Sequence, residues 1–244
     1  MSDPSIKPAT RLFVEPELAA GATIELAADQ AHFLGRVLRL QAGANLCLFN
    51  GRDGEWLAVI DDIGKRSASL RATEQRRAQP TGPAGPILII PPIKKARADW
   101  LVEKATEMGV SAIHPVLTER TSVRDVNLDR WRKITIEAAE QCERLDLPSL
   151  QPLSRLFQAL ERLRDHNDVL WAAERLEAPP ITAGLVADFS SLALLIGPEG
   201  GFAPAELDAL AELPFVHAIS LGPRILRAET AALAGLTLLQ ASAP

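Results

Sequence analysis

The sequence predicts an α/β protein in two parts, a small β-barrel followed by a mostly parallel sheet with helices on both faces. Three observations carry this. Residues 1–79 read as short β-like runs parted by turn signals, and residues 80–244 alternate apolar strands with amphipathic helices. Between them, Gln79-Pro80-Thr81-Gly82-Pro83-Ala84-Gly85-Pro86 holds three prolines and two glycines, which continue neither helix nor strand.

In the first part, Leu12–Val14, Thr23–Leu26, Asn45–Phe49, Trp56–Ile60 and Ser67–Ala72 are the expected strands. Turns such as Gly51-Arg52-Asp53-Gly54 and Asp61-Asp62-Ile63-Gly64 divide them. Only Asp29–Leu40 reads as helix. So many strands in so short a stretch need closure to protect their edges, hence a barrel.

In the second part, Ile87–Ile90 is a buried strand and Ala98–Met108 a helix with Trp100, Leu101, Lys104, Ala105 and Met108 on one face, closed by Gly109. Strand Ala112–Val116, helices Asp129–Gln141 and Ser154–Leu163, strands Val169–Ala172 and Leu192–Ile196, helix Pro204–Leu213, strand Val216–Leu221 and helix Leu226–Gln240 follow. The last helix is apolar nearly all round, so it must be covered by its own sheet and by a second subunit. Gly235 inside it costs about 1 kcal/mol against alanine, which predicts a close helix contact.

A chain of 244 residues that is 47% hydrophobic buries a sizeable core. No apolar stretch reaches the length of a membrane span, and residues 1–20 lack the basic-then-apolar order of a signal peptide. Cys47 and Cys142 stand alone, as free thiols of a cytoplasmic protein would. The histidines His32, His114, His166 and His217 are scattered, so no metal is expected. The net charge of −5 argues against binding nucleic acid through bulk electrostatics. Local clusters (Arg36/Arg39, Lys65/Arg66/Arg71, Arg76/Arg77, Lys94/Lys95/Arg97 and Arg120 to Lys133) still permit structured RNA to be bound by patches.

The most informative feature is a pair of glycine-proline turns, LLIGPEGGF (194–202) and SLGPRILRAETA (220–231), each placed where an apolar strand ends. Such turns side by side present backbone N–H and C=O groups to a small ligand. There is no GxxxxGK[ST], no GxGxxG opening a helix after the first strand, and no lysine near Gly197–Gly201. The pattern suits a ligand held by backbone groups better than a triphosphate held by charge.

These two motifs resemble the cofactor-binding end of the SPOUT methyltransferases. KKARADWLVEKATEMGVSAIHPVLTERTSV (94–123), EAAEQCER (137–144), RLFV (11–14) and HFLGRVLRL (32–40) are similar to one group of these, the RsmE family, over nearly the whole chain. The resemblance implies a PUA-like β-barrel in residues 1–79 and a trefoil-knotted α/β domain in residues 80–244. It also implies a homodimer, S-adenosyl-L-methionine as cofactor, and methylation of N3 of a uridine in 16S rRNA.

On that resemblance Ile196, Gly197, Gly200 and Gly201 hug the cofactor; Leu221, Gly222, Ile225 and Leu226 form a second wall, and Ala172 a third. Glu199 is placed to meet the cofactor's ammonium or ribose, or to accept hydrogen bonds within its own loop. Glu229 and Thr230 open the final helix, where capping and catalysis both suit them. Ala203 stands where the family often has serine, so the helix after GPEGG is expected to lack its side-chain cap.

The chemistry is an in-line attack of a uracil nitrogen on a sulfonium methyl. N3 of neutral uracil carries a proton, and its anion spreads charge onto two flanking carbonyl oxygens. Arg224 and Arg227 are the candidates to stabilise that anion; pairing with Glu229 or with a partner subunit is the alternative. No residue declares itself as the base. Glu140 lies in a family motif and equally suits an i,i+4 pair with Arg144. For RNA, Arg11, Arg36, Arg39, Lys95, Arg120 and Arg144 are expected to contact phosphates, while His32 reads as a packed surface residue. Aromatic residues make up 5% of the chain and tyrosine is absent, so recognition by shape and by extrusion of one nucleotide is expected over extensive stacking. The acidic balance points to a preformed ribosomal surface in the assembled small subunit. Two other readings stand beside this one: methyl transfer to another base or a ribose 2′-hydroxyl, and a non-catalytic RNA-binding assembly factor.

Overall fold

Five strands, β1 (Arg11–Phe13), β2 (Thr23–Leu26), β3 (Asn45–Phe49), β4 (Glu55–Ile63) and β5 (Ala68–Arg77), pair in the order β1-β3-β4-β5-β2 in the computed structural model. Residues 7–81, 85–173, 177–181 and 191–242 are described; residues 82–84 of the expected boundary segment lie outside them. The β1–β3 pair is parallel and the others antiparallel. No ladder joins β1 to β2 among the described residues, yet all five strands feed one core containing Leu12, Ile24, Leu48, Ile60 and Leu70. The sheet therefore curls round a core as a barrel does, without a closed ring of hydrogen bonds. Register shifts in the β4–β5 pair carry both strands past the ends expected from alternation.

The expected helix Asp29–Leu40 is shorter and changes winding. Helix α1 (Ala28–His32) passes into a π-helical turn at Phe33–Val37, where the Leu38 amide donates to the Phe33 carbonyl at 3.0 Å. Ala31 and Leu34 are thereby both fully buried. Arg39, at φ +56°, ends the run in a left-handed conformation.

The chain divides into two units, Met1–Gly82 with Ala139–Leu147, and Pro83–Ala138 with Pro148–Pro244. This differs from a boundary at residue 79. Arg11 draws residues 139–147 into the first unit by donating to the carbonyls of Ala139 (2.8 Å), Glu140 (3.1 Å) and Arg144 (2.9 Å).

The second unit contains β6 (Ile87–Ile90), α2 (Lys95–Glu107), β7 (Ala112–Leu117), β8 (Ser149–Leu150), β9 (Ser154–Arg155), α4 (Leu156–Leu163), β10 (Asp168–Ala172), β11 (Leu192–Leu195), α5 (Pro204–Ala211), β12 (Val216–Ile219) and α6 (Ala228–Ser242); α3 (Leu128–Gln141) runs to its border with the first unit. The sheet order is β12-β10-β11-β6-β7-β8, with β9 also on β7, and every pair is parallel. Leu88, Ile90 and Leu194 enter one core, and Ile89 and Leu195 enter another on the opposite face. Burial on both faces is why these strands read as unbroken apolar runs.

Three expectations change here. Ser154 and Arg155 pair with Val116 and Leu117 as strand, so α4 begins at Leu156. α6 begins at Ala228, two residues later than expected. A Cβ on Gly235 would lie 2.6 Å from Leu194 Cδ2, so the close approach is of helix to sheet. Among the described residues no helix is long and apolar enough to cross a membrane.

Candidate functional site

Because β10, β11 and β12 are adjacent and parallel, the chain leaves all three at one edge of the sheet. The loops that follow β11 and β12 meet there round a cavity of about 650 Å³. All ten residues expected at the cofactor line it: Ala172 at the end of β10; Ile196, Gly197, Glu199, Gly200 and Gly201 after β11; and Leu221, Gly222, Ile225 and Leu226 after β12. The two turns thus share one pocket.

The glycines are needed for geometry at two points. Gly222 has φ +105°, a conformation that side-chain-bearing residues rarely adopt. A Cβ on Gly197 would sit 2.9 Å from the Phe202 ring. That ring is fixed edge-to-face on Trp171, with centroids 5.9 Å apart and planes at 85°. Trp171 also lines the cavity, and its buried Nε1 has no hydrogen-bond partner among the described residues. Arg120 grips the first turn by donating from Nη1 to the Gly200 carbonyl at 3.2 Å.

The helix after that turn is capped by a different device than the one looked for. Ala203 offers no side-chain acceptor, but Glu206 Oε2 accepts the Ala203 amide at 2.9 Å and Oε1 the Glu119 amide at 2.8 Å. Pro204 at the first helical position removes one further orphan donor.

Five cationic side chains, Lys94, Arg97, Arg120, Arg224 and Arg227, line the cavity against one carboxylate, Glu199. Arg224 and Arg227 are exposed and form no ion pair among the described residues. Glu229, the alternative partner expected for them, lies instead beside Arg97, with Nε 3.4 Å from Oε1. Arg97 Nη1 also donates to Glu199 Oε1 at 2.5 Å. Glu199 therefore has a partner on α2 outside its own loop. Arg97, Lys94, Trp171 and Phe202 were not singled out as site residues; only the basic cluster at 94–97 marked the first two.

Other expected residues sit elsewhere. Arg11 is spent inside the first unit, paired with Glu55 at 2.6 Å and stacked 4.5 Å over the Phe49 ring, with its side chain 10% exposed. Arg144 pairs with Asp146 at 2.7 Å and is 9% exposed. Their burial corrects the expectation that they are presented to phosphate. Glu140 belongs to the first unit too, where its Oε1 accepts the Phe13 amide at 2.9 Å; a structural anchor is what this geometry describes. Arg36, Arg39 and Lys95 are exposed, as is His32. Burial, then the nearby Arg162, lowers His114 to about 4. Burial, then Glu55, raises the Cys47 thiol to about 11. Among the described residues no group of three or more His, Cys, Asp or Glu side chains is placed to hold a metal.

A family model described as an RNA methyltransferase domain matches residues 83–240, and one described as an RNA methyltransferase PUA domain matches residues 26–73. The chain is 37% identical to ribosomal RNA small subunit methyltransferase E of Rickettsia conorii, covering 93% of each chain. It is 34% identical to the protein of that name from Synechocystis sp., over 98% of this chain and 80% of the relative. The crystal structure of a ribosomal RNA small subunit methyltransferase E from Neisseria gonorrhoeae bound to S-adenosyl methionine superposes with a TM-score of 0.85 at 30% identity, over 96% of this chain and 98% of that one.

Proposed function

We propose that this chain, which belongs to the ribosomal RNA small subunit methyltransferase E family, methylates N3 of one uridine in 16S rRNA. It is a methyltransferase that uses S-adenosylmethionine. The observation that carries the reading is the convergence of the turns 197–201 and 221–226 on one cavity. The residues present fit the donor. Gly197, Gly200 and Gly222 line the cavity without side chains, Leu221 and Leu226 offer apolar walls, and the buried Trp171 Nε1, without a partner among the described residues, is a donor in search of an acceptor.

When bound, the donor supplies an electrophilic methyl group. The protein's own part is to hold both reactants and favour the uracil anion. Arg224 and Arg227, at the cavity and without ion pairs among the described residues, donate to the carbonyl oxygens that take up charge as N3 loses its proton. The basic rim attracts the RNA backbone despite the acidic balance of the whole chain. Arg36, Arg39, Lys95 and Arg120 are the remaining candidates for phosphate contacts. A trefoil knot, a homodimer and a cytoplasmic enzyme acting on the assembled small subunit complete the proposal.

Calorimetry with S-adenosylmethionine and nucleoside mass spectrometry of rRNA from a deletion strain test it. Binding, with loss of N3-methyluridine from the strain, is expected. Loss of a 2′-O-methyl nucleoside or another base instead would refute the N3 assignment, and absence of donor binding would refute catalysis.

A further inference from the structure

Glycine turns make good walls for a ligand and poor ones for themselves. The backbone of Gly197, Gly200, Gly201 and Gly222 loses more freedom on ordering than any other residue type would. A pocket made of two such turns is costly to organise at the moment of binding unless something already holds them. One side chain reaches the first turn and the helix that follows the second.

Arg97 projects from the first turn of α2, a helix anchored by the buried Ala98, Leu101, Val102 and Ala105. Its Nη1 holds Glu199, in the middle of the first glycine turn, at 2.5 Å. Its Nε faces Glu229, in the first turn of α6, just beyond the second glycine turn, at 3.4 Å. Two nitrogens of one rigid, planar fork therefore serve two carboxylates, Glu199 in the cavity lining and Glu229 at the start of α6, which the single ammonium of lysine cannot reproduce. Glu229 is 12% exposed, and its Oε2 is buried without a hydrogen bond among the described residues. Arg97 is the only cation paired with it among the described residues.

We propose that Arg97 is a positioning residue that ties both glycine walls to α2, so that the methyl donor meets a preformed pocket. This rests on the cavity being the donor site. The residue acts through Glu199 and Glu229, and its effect falls on donor affinity.

The test is calorimetric titration of the full chain with S-adenosylmethionine, together with the thermal midpoint of the unliganded protein. Arg97→Ala is expected to raise Kd about tenfold. Arg97→Lys, which keeps the charge but not the fork, should raise it nearly as far. Arg97→Ala also strands the buried Glu229 carboxylate and so lowers the midpoint. Adding Glu229→Gln removes that burden, and the double variant should regain the midpoint while affinity stays weak. Asp99→Asn, on the same helix as Arg97, weakens the pair with Arg130 of α3 and should leave Kd unchanged. Wild-type Kd in Arg97→Ala or Arg97→Lys, or affinity regained in the double variant, would overturn the proposal. A wild-type protein that does not bind the donor would refute the donor site itself, and this inference with it.

Discussion

The arginines of the first unit and those of the cavity differ in what they face, and that difference separates scaffold from site. In the first unit, Glu55, with its side chain 9% exposed, receives Arg11 at 2.6 Å and a two-bonded fork from Arg77 at 2.8 and 3.0 Å. Further donors of Arg11 and Arg77 go to carbonyls of Ala139, Glu140, Glu143 and Arg144. At the cavity, Arg224 and Arg227 are exposed and without ion pairs among the described residues. Guanidinium groups gathered on one buried carboxylate and on backbone carbonyls hold the fold. Exposed guanidinium groups at a concave glycine-lined surface have no carboxylate partner among the described residues.

The largest effect should come from breaking the scaffold set. Glu55→Ala leaves Arg11 and Arg77 without their carboxylate and should destabilise the protein by about 3–5 kcal/mol, read from urea unfolding. The same group predicts a pH dependence. Burial pushes the Glu55 carboxyl up, but hydrogen bonds from Arg77 and Arg11 outweigh it and hold the group below the ordinary carboxylate range. A lowered native pKa gives stability that is fully present above the unfolded value and is lost as pH falls through the native one. The wild type should thus lose stability on acidification below the carboxylate range. Glu55→Ala should lose less over that interval, and equal slopes would reject the assignment.

Next in size is the site set. Arg224→Ala and Arg227→Ala should each lower kcat about a hundredfold, or about 2.7 kcal/mol, with donor Kd and the urea midpoint unchanged. A drop in midpoint without a drop in kcat would move these arginines into the scaffold class and collapse the contrast.

The sequence made the cavity legible but left the two arginine classes mixed. Gly197–Gly201 and Leu221–Leu226 were readable because strand-ending glycines report on local backbone, and parallel neighbours then force the turns onto one edge. Arg11, Glu140 and Arg144 lay in motifs as good as those of the cavity. Their partners decide their role, and Arg11 meets Glu140 across 129 positions, a pairing no local pattern encodes. Arg97 escaped notice for the same reason, since Glu199 is 102 positions away. The helix at 29–40 was overextended because apolar spacing does not separate α from π winding, and Ser154–Arg155 was taken for helix because a two-residue strand has no period.

Arg120 falls between the classes, exposed at the cavity yet donating to the Gly200 carbonyl at 3.2 Å. Arg120→Ala removes one hydrogen bond that orders the first turn, so donor Kd should rise about fivefold, on the order of 1 kcal/mol, by calorimetry. An unchanged Kd would mean that this hydrogen bond does not order the turn for the donor.

The smallest effect should come from Arg71, which sharpens the role of burial. Arg71 grips Asp61 with the same two-bonded geometry that Arg77 uses on Glu55, at 2.8 and 3.0 Å. The pair stands in solvent, with side chains 48% and 38% exposed. Water and salt screen it, and the entropy of holding two long side chains offsets much of the attraction. Arg71→Ala should leave the urea midpoint within error of wild type, and raising salt should leave the difference as small. A loss comparable to that of Glu55→Ala would mean that fork geometry outweighs desolvation in this barrel, and that matched donors, with or without burial, mark its scaffold arginines.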